Sequence, residues 1–342
     1  KNLPEPTVDP RNHFNTVLWT GTGSSNSITG VGFQPNLVWL KERGGTSAHY
    51  VTNDIDGTVR HMQSNTTEAE GTDAQLVSTY GTDGFTVGTS GGSNQNGIAM
   101  VAWNWKAGNA NTAFSESGNN PAGTHRANVA AGFSIVSYVG TGAAGTVAHG
   151  LGVAPELMLI KNRDVADAWA VYYGDNTDYL VLDTAAATAD AATYWNDTSP
   201  SATVFTVGTA HSVNADAENY IAYCWRSIDG YSKVGSYTGN GNVDGPFVYT
   251  GFRPAFVLIK NISASGTYWH IADSKRLGRN VVGQYLFANT NEVESNYTEE
   301  VLLDITSNGF KLRGLYGHIN GDGNTIVYLA FSETPFKYSN AR

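Results

Sequence analysis

Six landmarks recur three times along this chain, in one order and at nearly one spacing. The anchor is Gly32-Phe33-Gln34-Pro35-Asn36-Leu37-Val38-Trp39-Leu40-Lys41. It returns as Gly152 to Lys161 and as Gly251 to Lys260. Each copy reads as a turn, a Pro, an apolar run and a closing Lys. Proline fixes φ and donates no ladder bond, so it belongs at the head of a strand. The run after it is too apolar for a half-exposed strand and predicts burial on both faces. The closing Lys marks where the strand meets water.

The other landmarks flank this anchor. A leading aromatic (Phe14, Phe133, Tyr231) opens each unit. Then comes an aromatic followed by a Gly-rich turn: Trp19 to Gly23, Tyr138 to Gly142, Tyr237 to Gly241. That aromatic precedes the anchor Pro by 16, 17 and 17 residues. Downstream lie His49-Tyr50, Trp169-Ala170 and Trp269-His270. A Phe-x-Val/Leu strand follows, with its Phe (Phe85, Phe205, Phe310) 50, 50 and 56 residues after the Pro. Each unit closes on Ala then an aromatic, at Ala102-Trp103, Ala222-Tyr223 and Ala330-Phe331. Units of about 100 residues suit one β-sandwich each and are too long for a solenoid coil or propeller blade. The expected fold is all-β: three tandem antiparallel, jelly-roll-like β-sandwich domains behind an extended N-terminal arm. Gly-bounded aromatic and β-branched runs and repeated Asp-Gly and Asn-Gly turns agree with it.

The expected boundaries are an arm at 1–12, repeat 1 at 13–106, a linker at 107–130, repeat 2 at 131–227 and repeat 3 at 228–342. Pro4, Pro6 and Pro10 make the arm extended. The Gly, Asn and Ser content of 107–130 marks a linker or long excursion. Only Arg226 to Gly230 separates repeats 2 and 3, so these two are expected to be tightly coupled, with repeat 1 hinged more loosely. The short Ala-rich stretches Thr66 to Ala74 and Thr184 to Ala192 read as a helical turn or as a loop over a sandwich end.

Charged residues are 15% of the 342, and the net charge is −10. This argues against nucleic acid and anionic membranes, which demand a cationic surface. The short positive cluster Lys275-Arg276 with Arg279 reads as a solvated loop. No apolar run reaches the length of a membrane helix, and no signal peptide is visible. The chain begins at Lys1 and reads as processed, as a fragment or as lacking its start. The lone Cys224 sits in an apolar run and reads as a buried small hydrophobe; a chain without disulfides fits folding in a cytosol.

No catalytic motif emerges. The Gly-rich turns lead into strands and lack the Gly-Lys-Ser/Thr of a phosphate loop. The eight histidines have no metal-ligand spacing. Asn53 to Gly57 and Asn320 to Asn324 carry alternating oxygen ligands, as calcium prefers, but tight turns demand the same residues. The expectation is no cofactor and no metal. Carbohydrate binding needs exposed aromatics. The aromatics outside the repeat pattern, Tyr194, Trp195, Tyr285, Tyr297 and Tyr316, are therefore the candidate binding residues. Trp195, between an Ala-rich loop and Ser199-Pro200, has a surface-like context.

The landmarks Trp19 to Lys41, Asp83 to Gly88 and Val101 to Trp103, with their matches in the later units, resemble a domain common in tail-fibre and other virion proteins of tailed bacteriophages, marine phages in particular. Phe336-Lys337-Tyr338 near the end shares the likeness. The resemblance covers nearly the whole chain and carries no catalytic or receptor residues across. It implies a virion component, folded in the host cytoplasm and exposed on the particle. Tail fibre, knob and capsid decoration are all open to it. Its expected partners are other virion proteins, its own copies in a homo-oligomer with a trimer favoured, and host surface glycans, with no nucleic acid and no membrane insertion. A dedicated receptor-binding or lectin-like module is the alternative reading. A polysaccharide depolymerase is a third and predicts a cleft with two close carboxylates.

Overall fold

The computed structural model describes residues 8–55, 57, 59–277, 280, 282–296 and 303–333. Unit 1 runs β1 (Phe14–Thr20), β2 (Asn26–Thr29), β3 (Leu37–Glu42), β4 (Tyr50–Asn53), β5 (Arg60–Gln63), β6 (Gly71–Thr72), β7 (Thr79–Gly81), β8 (Gly84–Val87), the single turn α1 (Gly91–Asn94) and β9 (Ala99–Trp105). Two further strands, β10 (Thr112–Phe114) and β11 (Gly123–Asn128), precede unit 2. That unit runs β12 (Phe133–Val139), β13 (Gly145–Ala148), β14 (Leu157–Asn162), β15 (Ala170–Tyr172), β16 (Asp178–Val181), β17 (Ala189–Asp190), α2 (Ala192–Trp195), β18 (Val204–Val207), α3 (His211–Asn214) and β19 (Asn219–Trp225). Unit 3 runs β20 (Ser232–Thr238), β21 (Phe247–Tyr249), β22 (Pro254–Asn261), β23 (His270–Asp273), α4 (Ser274–Leu277), β24 (Gln284–Phe287), β25 (Ser295–Asn296), β26 (Leu303–Thr306), β27 (Gly309–Leu312), α5 (Gly317–Asn320) and β28 (Thr325–Ser332).

The chain is all-β, built from several antiparallel sheets, none of which closes into a barrel among the described residues. Among the described residues each unit contributes a large sheet of one strand order. These are β1-β9-β3-β4-β5-β6, β12-β19-β14-β15-β16-β17 and β20-β28-β22-β23-β24-β25. A small sheet goes with each: β2-β8-β7, β13-β18 and β21-β27-β26. The apolar anchor run is β3, β14 or β22, two strands in from the β1, β12 or β20 edge. Every residue of these three strands is buried; the sequence predicts this for the apolar run but not for the closing Lys. Pro254 heads β22, with a register shift before Phe256, whereas Pro35 and Pro155 lie two residues upstream of their strands. Strand pairing places Trp105, Trp225 and Phe331 at one position, opposite Leu37, Leu157 and Phe256. The closing aromatic of unit 3 thus lies two residues further along than the Ala-aromatic pattern indicates. A shift of two leaves each side chain on its original face, so the sequence does not betray it.

The faces of the anchor strand have different partners. Val38 and Leu40 pack toward the small sheet of unit 1, as do Met158 and Ile160 in unit 2 and Val257 and Ile259 in unit 3. Leu37, Trp39, Leu157, Leu159, Phe256 and Leu258 point the other way, into one core common to all three units. Aromatics dominate its centre. Trp105 touches Trp225 at 6.1 Å between ring centroids, and Phe256 and Phe331 at 5.7 Å each; Phe14 stacks on Phe331 at 4.9 Å. Rings of this size bury large apolar areas and favour such edge and offset contacts.

Backbone bonds join the units head to tail. Glu70 N–H donates to Arg163 O (2.9 Å), Thr188 N–H to Ile262 O (3.0 Å) and Glu294 N–H to Arg43 O (2.8 Å). These are matching positions, so the three junctions form a closed ring. Unit 1 is therefore not a loosely hinged neighbour; unit 3 holds it as unit 2 does. An ion pair accompanies two of the junctions, Arg163–Glu70 at 3.0 Å and Arg43–Glu294 at 2.7 Å. Ile262 and Thr188 stand at those places in the third.

The stretch 107–130 carries β10 and β11, which extend the large sheet of unit 2 past β12. The arm is tied down where it is described: Val8 is buried in the common core, and Pro10–Asn12 form a 3-10 turn capped by Asp9. Arg276 is not solvated. It is buried with Nε 2.5 Å from Asp273 and lies over the Trp103 ring. The Ala-rich stretches contain short extended pairs, β6 and β17, and helix appears only at α2.

Candidate functional site

The candidate aromatics do not make one platform. Trp195 is buried, not surface-exposed: α2 turns it inward, Nε1 donates to the Asp178 carbonyl (3.0 Å), and the ring meets Tyr172 edge-on. Tyr285 is fully buried. Both were expected as open stacking surfaces, and the apolar layers of units 2 and 3 take them instead. Tyr194 is half-buried and stacks on Tyr179 at 3.7 Å between centroids. Tyr316 is half-buried against His318 (4.1 Å) and, like Tyr285, edges the buried His270. Burial lowers the His318 pKa to about 4, with Lys260 adding to the effect. Tyr297 lies outside the described residues.

A polar cavity of about 730 Å³ lies where unit 1 meets β11. Asp54, just after β4, is its central group. Burial raises the Asp54 pKa; Arg126 of β11 (2.6 Å) and the Asn36 amide (2.8 Å) oppose that rise. Asn36 is fixed in turn by Ala107 N–H, which donates to its Oδ1 (2.8 Å). Across the cavity, burial and then Lys106 lower the His13 pKa, and the His13 ring meets the Asn128 amide at 2.9 Å. Gln34 is exposed at the rim and Lys106 is half-buried. Among the described residues the lining offers amide, guanidinium and ammonium donors beside a single carboxylate. Such a wall suits a neutral, hydroxyl-rich ligand held by hydrogen bonds. Asp54 sits in one of the calcium-like loops, but Arg126 already engages it. Among the described residues no cluster of His, Cys, Asp or Glu could hold a metal ion. Arg126 escaped the sequence reading because it falls in a polar, Gly-rich stretch with no strand pattern.

The lysines that close the anchor runs do not emerge into water. Lys41, Lys161 and Lys260 are all fully buried. Each ammonium caps carbonyls at or beyond the strand end: Lys41 those of Glu42 and Gly45 (2.8 Å each), Lys161 that of Asn162 (2.7 Å) and, across the junction, Thr67 (3.3 Å). Lys260 Nζ donates to the Thr267 carbonyl and hydroxyl. Burial lowers each of these pKa values to about 8. Capping unpaired carbonyls lets a cation stay inside the fold.

A further repeated residue explains the Gly-rich turns. Asn94, Asn214 and Asn320 end α1, α3 and α5, nine, nine and ten residues after the landmark Phe. All three are fully buried. Asn214 accepts from Thr141 N–H (2.9 Å) and donates to the Ala143 and Gly208 carbonyls (2.7 and 2.8 Å). Asn94 and Asn320 make the same three kinds of bond to their own turns. A Cβ at Gly21, Gly140 or Gly239 would strike a carbonyl oxygen just beyond the turn. Close approach, not phosphate binding, is what these glycines provide. The signal was present in the sequence as an Asn at nearly constant spacing. Cys224 is buried and free, its thiol pKa raised by burial.

A family model described as a domain of unknown function (DUF7483) matches residues 9–335, and the chain belongs to that family. No curated protein and no solved structure matches it.

Proposed function

We propose that this DUF7483 member is a structural subunit of a phage virion, in a tail fibre, knob or capsid decoration, facing the host and adsorbing to its surface glycans. We read its architecture as three copies of one two-layer β-sandwich repeat wrapped around a common core. The observation that carries the structural reading is that core together with the closed ring of junctions. The unusual buried groups, three lysines and three asparagines, serve to cap backbone and clamp turns, as in a rigid scaffold. The threefold arrangement expected between copies in a fibre trimer is here supplied within one chain. Its partners are then other virion proteins, with self-association a secondary expectation.

The polar cavity beside Asp54 favours the glycan part of the reading, and equally a lectin-like module. The depolymerase reading draws no support there, because among the described residues Asp54 is the one carboxylate in the lining. Immunolabelled electron micrographs of assembled particles test the structural role; absence of the chain from the particle would sink it. A glycan array probed with the full chain and with the Gln34→Ala, Lys106→Ala variant tests adsorption. Binding that the double variant loses supports the cavity; a silent array with normal host adsorption by the variant overturns it.

A further inference from the structure

The small sheets of the three units share one register and differ on one face. Each pairs its first strand with the strand of the landmark Phe: Ile28 with Phe85, Val147 with Phe205 and Val248 with Phe310. Ile28, Val147 and Val248 are all buried. Side chains alternate along a strand, so the residues on either side of these three point away from the core. Unit 1 has Ser27 and Thr29 there, and unit 2 has Thr146 and Ala148. Unit 3 has Phe247 and Tyr249, 47% and 65% exposed. Small residues therefore satisfy the fold at these places, and the rings add nothing to the core. In unit 2 the excursion 107–130 also reaches this face, where Asn120 accepts from the Thr146 amide and hydroxyl (2.8 and 3.0 Å). A single exposed apolar side chain is ordinary. Two neighbouring exposed aromatics, where both sister units carry small residues, form a patch that calls for a ligand.

The two rings stand beside a charged row. Positions two apart on a strand are about 7 Å apart. Phe247 leans over the neighbouring strand, its Cζ 3.2 Å from where a Cβ on Gly309 would stand. Lys311 lies opposite Phe247, and Asp304 lies opposite Lys311 on the third strand. Arg313, two residues past Lys311, reaches the Asp304 carboxylate with Nε (2.6 Å). Lys311 pairs with Asp244 (2.7 Å) and donates to the Gly245 carbonyl (2.7 Å). An ammonium carries three donors, so a third remains for a ligand. The row thus sets two cations against two carboxylates.

We propose that this face of unit 3 binds a neutral saccharide chain, whose pyranose rings stack on Phe247 and Tyr249 while its hydroxyls bond to the row of Lys311, Asp304 and Arg313. The C–H face of a pyranose is weakly positive and meets the negative face of an aromatic ring. Its hydroxyls both donate and accept, so they answer ammonium, guanidinium and carboxylate alike. The balance of the row selects this ligand class. An anionic polymer calls for a surplus of cations, and a protein partner calls for a centre depleted of charge. The site rests on the glycan reading for its ligand class, yet among the described residues it shares none with the lining of the Asp54 cavity.

Affinity electrophoresis of the full chain tests this, in native gels cast with dextran, galactomannan or a mixed-linkage β-glucan. The expected result is retardation in at least one of the three. The double variant Phe247→Ser, Tyr249→Thr carries the residues that unit 1 already tolerates at the same places, so it keeps the fold, which circular dichroism checks. It should bind about tenfold or more weakly, as loss of an aromatic anchor does. The Gln34→Ala, Lys106→Ala variant should be retarded like the parent chain. No retardation in any gel overturns the proposal, and so does retardation that the platform variant keeps. Retardation lost only in the cavity variant sinks this site and leaves adsorption through the Asp54 cavity standing; loss only in the platform variant does the reverse. A smaller mass by light scattering for the platform variant than for the parent also overturns the proposal, by assigning the face to a second copy of the chain.

Discussion

The guanidinium of Arg43 and the carboxylate of Glu294 lie 2.7 Å apart across 251 residues of sequence, and their contact closes the ring between units 3 and 1. Both side chains are largely shielded, and Arg276 shares the same carboxylate at 3.0 Å. Arg43→Ala removes one of two cations and leaves the other, so it is expected to cost about 1–3 kcal/mol, less than stripping a carboxylate of all its partners. Urea denaturation of the variant measures this. A loss below a few tenths of a kcal/mol would mean that the backbone bond alone holds the seam.

Trp105 touches aromatics of both other units, so its removal damages all three together. Trp105→Ala is expected to destabilise the fold by about 3–5 kcal/mol, the usual cost of emptying a large core site. The loss should appear as one earlier transition, seen alike by fluorescence and by circular dichroism. Two separated transitions, with a portion as stable as before, would show units that fold independently.

Asn214 satisfies three backbone groups at once. Asn214→Ala leaves them unpaired inside the protein and is expected to cost about 2–4 kcal/mol. Exchange at the Thr141 amide, which loses its acceptor, should accelerate more than exchange in β14. Equal acceleration at both places would argue against a local clamp.

Burial lowers the pKa of Lys41, Lys161 and Lys260 from 10.5 to about 8. Between those values the unfolded chain binds more protons than the folded one, so stability rises with pH across that window. Buried tyrosines such as Tyr80, raised by burial, reverse the trend above about pH 10 as unfolded tyrosines ionise. At the acid side, burial lowers His49 and His270 well below 6.5, and His13, His61, His125, His149 and His318 also fall. Stability is therefore lost as pH drops through 6.5. Denaturation midpoints from pH 5 to 11 should climb to a maximum between 8 and 10. In Lys161→Met the climb between 8 and 10 should be shallower by about a third. An unchanged slope would sink the assignment.

The repeat was legible because it is written in backbone-determining residues: Pro before the run, Gly at the close approach, β-branched and aromatic residues in the strand. Double burial of Leu37 to Leu40 was legible too. What covers the second face was not, because a period of two reports that a face is buried and is silent about its partner. Hence the expectation of separate sandwiches, where Trp105, Trp225 and Phe331 meet in one core. The closing lysines misled for a related reason. A Lys after an apolar run ordinarily signals water, and the carbonyls that cap it belong to loops with no sequence pattern. Trp195 misled because its neighbours are polar, while the turn of α2 that rotates it inward is only four residues long. Arg126 was hidden in a stretch whose composition is that of a linker.

A homotrimer inherits every substitution three times, on each of its faces. In this molecule equivalent positions vary one at a time. The turns α1, α3 and α5 begin with Gly91, His211 and Gly317, and only the middle one places an imidazole 2.8 Å from a carboxylate, that of Asp167. The inward positions are bound by their neighbours to remain alike. The outward ones are free of that constraint, so a shape with threefold regularity can present three chemically distinct sides, each open to selection on its own.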